Sequence, residues 1–143
     1  MSEVKLSTDG IRYIALFESL TGASAKDCFE DLENNRLIFV VKGGDMGLAI
    51  GKGGDHINRV KKAIGKHVEI IEHSEDPVEF VKNAFHPVSI KNASLVVKDD
   101  KRIAYVEVHS KEKGLAIGRD GKNIEKVKKL SARHHNIHDV IIQ

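Results

Sequence analysis

The chain has no tryptophan, one cysteine, two prolines, two methionines and, with five Phe and two Tyr, few aromatic rings among its 143 residues. Each shortage closes off a class of protein. Cys28 alone cannot form an internal disulfide, and it reads as a small buried apolar residue of a protein kept in a reducing, cytoplasmic compartment. So few aromatics give no signature of a sheet that stacks bases. No window approaches the ~18 uninterrupted apolar residues of a membrane span, and the opening MSEVKLSTDG is too polar for a signal-peptide core. No nucleophile with a neighbouring base and no carboxylate pair in a glycine-bounded cleft argues for catalysis, so neither an enzyme nor a small-molecule substrate is expected. Eight histidines are present, but His134, His135, His138 and Asp139 lack the spacing of a metal-binding helix and have no cysteine beside them. No metal and no cofactor are expected.

What the chain does have is a sentence written twice. Residues 47–62 read GLAIGKGGDHINRVKK and residues 114–129 read GLAIGRDGKNIEKVKK, 67 residues apart, with ten of sixteen positions identical. The shared positions are glycines (Gly47/Gly114, Gly51/Gly118, Gly54/Gly121), small or apolar residues at helical spacing, and a closing Lys-Lys pair. An internal period fixes the unit of structure before any chemistry is argued. Here it divides the chain into two units, 1–74 and 75–143, each near the lower size limit for an independent core, so two small domains packed together are expected.

Net charge is only +2, but its distribution is uneven. Residues 47–66 hold five cations against Asp55 alone, and residues 111–135 hold eight cations against three acids. The positive charge therefore sits in the repeats, and the remaining 98 residues carry −7. A Lys-rich helix surface can be merely solvated; two copies, both beside glycine loops, favour a binding role.

Ser7-Thr8-Asp9 can cap a helix with Ile11, Ile14, Phe17 and Leu20 on its apolar stripe, stopped by Thr21-Gly22. Two strands follow, over Asp27–Leu32 and Leu37–Val41, joined by a turn at Glu33–Arg36. After the first repeat, Ile57, Val60 and Ile64 stripe a helix that Gly65 ends, and Val68–Glu72 reads as a strand. The second unit repeats the order. Asp76-Pro77-Val78-Glu79 is a helix start, and Val78, Val81 and Phe85 form its expected inward stripe. Strands over Val88–Val97 and Ile103–Val108 flank the charged turn Lys98–Arg102; Ile124, Val127 and Leu130 stripe the helix after the second repeat, and Val140–Ile142 closes as a strand. The expected class is α+β, each unit reading helix, strand, strand, helix, helix, strand.

The turn inside each repeat is four residues, Gly51-Lys52-Gly53-Gly54 and Gly118-Arg119-Asp120-Gly121, between two apolar helical segments. Glycines at its ends permit unusual backbone angles and close approach of a ligand backbone. Free amides and the dipole at the start of the second helix favour an anion. Lys52 and Arg119 add charge for a phosphate, as do Arg59, Lys62, Lys122 and Lys129 further along. Asp120 breaks the pattern, and predicts that the copies bind unequally. Nucleotide loops are excluded by spacing: Met46 and Gly53 stand where a P-loop would require a glycine and a hydroxyl, and His56 stands where a dinucleotide fingerprint needs its third glycine. A single copy would also read as a tight turn between packed helices, a reading that duplication with intact flanks weakens.

These residues resemble the KH family, whose signature is a Gly-x-x-Gly loop between two helices that clamps about four nucleotides of single-stranded nucleic acid. The element order resembles the type II form, and the pair, each loop preceded by Gly-Leu-Ala-Ile-Gly, is similar to the tandem KH domains of NusA-type transcription termination/antitermination factors, in their short archaeal form. The resemblance covers Ser7 to Gln143 and implies single-stranded RNA as partner and a role in elongation, pausing, termination or antitermination. RNA polymerase is a second partner that the family brings, though the chain has no room for the polymerase-binding and S1-type domains of the bacterial members. By position, Gly51, Lys52, Gly53, Gly54, Gly118, Arg119, Asp120 and Gly121 would hold the RNA backbone; Ile50, Ile57, Ile117 and Ile124 would either floor the base site or serve as core. A KH-fold interaction module in a ribosomal or RNA-processing assembly is the alternative.

Overall fold

The structure, a computed structural model, describes residues 4–143, so the first three residues of the expected first domain and of the polar opening lie outside the described residues. The chain divides into two compact units, residues 5–73 and residues 74–143, the latter grouped with Val4.

In the first unit, α1 (Thr8–Thr21) begins where Ser7 Oγ accepts the Gly10 amide at 2.9 Å, and ends at Gly22, whose left-handed backbone (φ +77°) returns its N–H to Glu18 O. The stripe is narrower than a three-residue step predicts. Phe17 is fully buried and Ile14 and Leu20 are half-buried, but Ile11 is 56% exposed, because a step of three drifts round a 3.6-residue helix.

β1 (Ala25–Asp31) pairs antiparallel with β2 (Arg36–Val41), and β3 (His67–Glu72) pairs parallel with β2, giving the sheet order β1-β2-β3. β1 stops one residue earlier than expected, which leaves Leu32 in the turn and 78% exposed. All six β2 residues are buried, consistent with its continuous apolar run Leu37–Val41. Leu37, Phe39 and Val41 join Phe17, Cys28, Val60 and Ile70 in one core, where the Phe17 and Phe39 rings stack at 4.4 Å.

Arg36, expected in the turn, is instead a buried strand residue. Its Nε donates to Asp31 Oδ2 at 2.7 Å and its Nη1 to Glu69 Oε2 at 3.0 Å, tying all three strands together at one end. Between β2 and β3 lie α2 (Met46–Ile50) and α3 (Asp55–Ile64), which ends at left-handed Gly65.

The second unit has the same order. Asp76 Oδ1 accepts the Val78 amide at 3.2 Å and starts α4 (Pro77–Ala84). Its buried face is Phe80, Val81 and Ala84, continued by Phe85; Val78 is half-buried, so the expected stripe was rotated and missed Phe80. β4 (Asn92–Lys98) begins four residues later than its apolar sequence suggests, since residues 88–91 belong to the connection from α4. β4 pairs antiparallel with β5 (Lys101–Glu107) through left-handed Asp99 and Asp100, a two-residue hairpin turn. β6 (Asp139–Ile142) pairs parallel with β5, giving β4-β5-β6. α5 (Lys113–Ile117) and α6 (Lys122–His135) lie between β5 and β6. The architecture is thus mixed α+β, with helices against a three-stranded sheet in each unit. No helix among the described residues is long and apolar enough to cross a membrane.

Candidate nucleic-acid interface

In each unit the repeat folds into helix, four-residue loop, helix, and the two loops share one backbone. Gly51 and Gly118 adopt φ/ψ of 75°/172° and 82°/166°, Gly53 and Asp120 adopt 64°/20° and 56°/26°, and Gly54 and Gly121 adopt 78°/15° and 74°/12°. The first glycine is required twice over. Its dihedrals lie where a side chain is strongly disfavoured, and an added Cβ would sit 2.8 Å from His56 N at Gly51, or 2.6 Å from Asn123 N at Gly118. The third position is left-handed in both copies, a conformation that aspartate tolerates better than most residues. Gly53 and Asp120 are therefore interchangeable in shape and opposite in consequence.

A lock that sequence comparison did not reveal holds each loop shut. His56 Nδ1 donates to Leu48 O at 2.7 Å, and Asn123 Nδ2 donates to Ala116 O at 3.0 Å, so the residue two past the loop ties the following helix back to the preceding one. A carbonyl only accepts, so His56 carries its proton on Nδ1 in this arrangement. The repeat hid the device because the two positions differ in residue type while agreeing in role. No side chain caps α3 or α6 at its glycine start, which leaves the helix-entry amides without a side-chain competitor.

All twelve predicted site residues lie on these loops and the helices after them, but their electrostatic states differ. Lys52 and Arg119 are exposed and make no ion pair or hydrogen bond among the described residues, and Lys62 is likewise exposed and unpaired. Arg59 is 60% exposed and pairs with Asp55 at 3.0 Å. Such an exposed i,i+4 pair contributes about 0.3–0.5 kcal/mol, so exchanging Asp55 for a phosphate costs little. In the second copy Lys129 pairs with Glu125 at 2.7 Å, Lys128 pairs with Asp139 at 3.3 Å, and Asp120 adds an exposed negative charge in the loop itself, without a partner among the described residues. Lys122 is exposed at the start of α6. Lys126, the counterpart of Arg59, is fully buried with Nζ donating to His86 O at 3.1 Å.

The isoleucines also divide. Ile50 and Ile57 pack half-buried on the first core and Ile124 is half-buried, whereas Ile117 is 39% exposed. Sequence reading missed Leu48 and Leu115, both exposed on the helix before the loop. Beside them, Gly47 and Gly114 have open space around an added Cβ and no positive φ. Folding therefore requires glycine at neither position, and both helix surfaces stay bare where a ligand would approach.

The histidines that raised a metal site are occupied otherwise. Phe80 stacks with His134 at 4.9 Å and meets His135 edge-on at 5.0 Å, while His138 Nδ1 accepts the Arg102 amide at 3.0 Å. Among the described residues no three His, Cys, Asp or Glu groups are placed to hold a metal ion.

Residues 11–99 match the KH domain family, and residues 77–142 match the NusA-like second KH domain. The chain is 40% identical over 137 residues to the probable transcription termination protein NusA of Halobacterium salinarum, covering 96% of both. It is 38% identical to the protein of the same name from Methanococcus vannielii, over 91% of this chain and 74% of that one. Among solved structures it is similar to one described as "Crystal structure of APE1850", with a TM-score of 0.84 and 36% identity over 96% of this chain and 100% of the other. With two KH domains in tandem, the second of the NusA-like kind, and such identity across nearly its whole length, the chain belongs to the NusA family.

Proposed function

We propose that the protein binds single-stranded RNA through its two Gly-x-x-Gly loops and acts as a regulator of transcription elongation, pausing, termination or antitermination, without catalysing a reaction. The observation that carries this reading is the shared loop backbone: two turns of matching dihedrals, each opening an uncapped helix and each presenting a cation, Lys52 or Arg119, that is unpaired among the described residues. Backbone amides and one cation at a glycine-lined turn suit the phosphates of a strand lying against it. The exposed apolar surface beside it, Leu48 in one copy and Leu115 with Ile117 in the other, suits bases turned toward the protein. RNA polymerase is a further partner on this reading, since the relatives are named for termination. Each of the domains 1–74 and 75–143 supplies one loop.

The test is a binding titration of short single-stranded RNAs against the protein and a variant carrying Lys52→Asp, Gly53→Asp and Arg119→Asp. Aspartate fits the third loop position without backbone change, as Asp120 shows, so fold is preserved by the second change. Affinity is expected to be lost with unchanged circular dichroism, and wild-type affinity to fall steeply with salt. Undiminished RNA binding by the variant would sink the clamp, and no RNA binding by the wild type would favour a protein-binding module of an RNA-processing assembly.

A further inference from the structure

Beyond the loops, the two units treat the outward face of the following helix in opposite ways. On α3 the core side is set by Ile57, Val60 and Ile64. Arg59 and Lys62, three residues apart, fall on the opposite face at 3.6 residues per turn, and Lys66 follows just after the Gly65 cap. Arg59 and Lys62 are exposed. Lys66 holds Nζ 5.7 Å from the centre of the Tyr13 ring, which steadies its ammonium while leaving the residue partly open to solvent. Lys52 begins this series in the loop itself.

The matching positions are Lys126, Lys129 and Arg133, and there the series is interrupted at its first member. Lys126 is buried and spends Nζ on His86 O, a carbonyl of the connection after α4. That connection runs over residues 85–91, against residues 22–24 in the first unit. Lys129 pairs with Glu125 as Arg59 pairs with Asp55, Arg133 is half-buried, and Asp120 opposes a phosphate at the loop.

We infer that the phosphate backbone of the bound strand leaves the first loop along the α3 track formed by Arg59, Lys62 and Lys66, and that the second unit, whose matching track is interrupted at buried Lys126, holds RNA chiefly at its loop. This rests on the RNA reading above. A strand occupying the track exchanges Asp55 for phosphate at Arg59 and gains contacts at Lys62 and Lys66. The first unit thus carries most of the salt-sensitive binding and covers the longer stretch of RNA.

Salt dependence measures the number of phosphates neutralised, with a slope of log affinity against log salt of about −0.7 for each on a single strand. The experiment titrates 8- and 20-nucleotide oligouridine into five full-length forms: wild type, R59Q/K62Q/K66Q, R59K/K62R/K66R, K122Q/K129Q and G53D. The first triple variant is expected to flatten the 20-mer slope by about 2, for three lost contacts, and to affect the 8-mer less. K122Q/K129Q is expected to change it by less than about 0.7. The charge-conserving R59K/K62R/K66R should keep the wild-type slope, separating lost charge from the mere change of side chain. An unchanged slope in the first triple variant, with G53D still weakening binding, overturns the track while leaving the RNA reading intact; undiminished binding by G53D overturns both.

Discussion

The two halves of this protein are built on one plan and charged on different ones. The loops agree in every matched dihedral to within about 10°, and each is closed by a side chain two residues on, His56 or Asn123. Around that common backbone the first copy keeps Lys52, Lys61 and Lys62 exposed and, among the described residues, unpaired. The second places Asp120 in the loop, pairs Lys128 and Lys129 with acids, and buries Lys126. The lesson is that shape and charge are separable in this fold. Glycines and the interhelical lock hold the turn, while residues with no part in holding it decide how well it attracts phosphate.

The largest expected effect sharpens the comparison of the sheets. Arg36 is buried between Asp31 and Glu69 in the first unit, and its counterpart one repeat later is Ile103. Arg36→Ala leaves two acidic groups without their cation, so we expect a loss of about 3–5 kcal/mol, read by denaturant unfolding. Ile103→Ala removes only apolar packing at a half-buried site and is expected to cost less.

Gly51→Ala and Gly118→Ala come next. Each forces a side chain into a disfavoured backbone region, costing about 1–3 kcal/mol before the clash with His56 or Asn123 is added. Equal destabilisation by the pair, read as equal shifts in melting temperature, would confirm that the loops are alike in shape. A large difference would break that half of the comparison.

The smallest effect has opposite signs in two measurements. Gly47→Ala and Gly114→Ala fill open space on a helix, so stability should rise by about 0.5–1 kcal/mol. RNA affinity should fall, because the added methyl stands where the strand approaches. Unchanged affinity with the same gain in stability would show that nothing comes close at these glycines.

Much of this was legible in the sequence because the signals are local. Ser7, Gly22, Gly65 and Asp76 each cap a helix end as their residue type dictates. The repeat marked both loops and the helices around them. What escaped was decided by tertiary contact. Val88 is apolar and β-branched and reads as strand, but it lies in the connection that brings His86 O to Lys126. Arg36 looks like turn composition until Asp31 and Glu69 are seen on either side of it. Lys126 and Arg59 occupy the same place in the repeat, and nothing in either helix alone says that one is buried. The His56 and Asn123 lock escaped because an imidazole and an amide do one job through different chemistry.

The central claim is that the loops share a backbone and differ in charge, and exchanging their third residues tests it most directly. Gly53→Asp and Asp120→Gly each put into one loop the residue that the other already holds in the same left-handed conformation. Affinity for a single-stranded RNA at low salt should fall at least about tenfold for Gly53→Asp, the equivalent of about 1.4 kcal/mol, and rise for Asp120→Gly, with both melting temperatures nearly unchanged. If the two substitutions leave affinity equal to wild type while the fold is intact, charge at the third position does not govern binding and the account is contradicted.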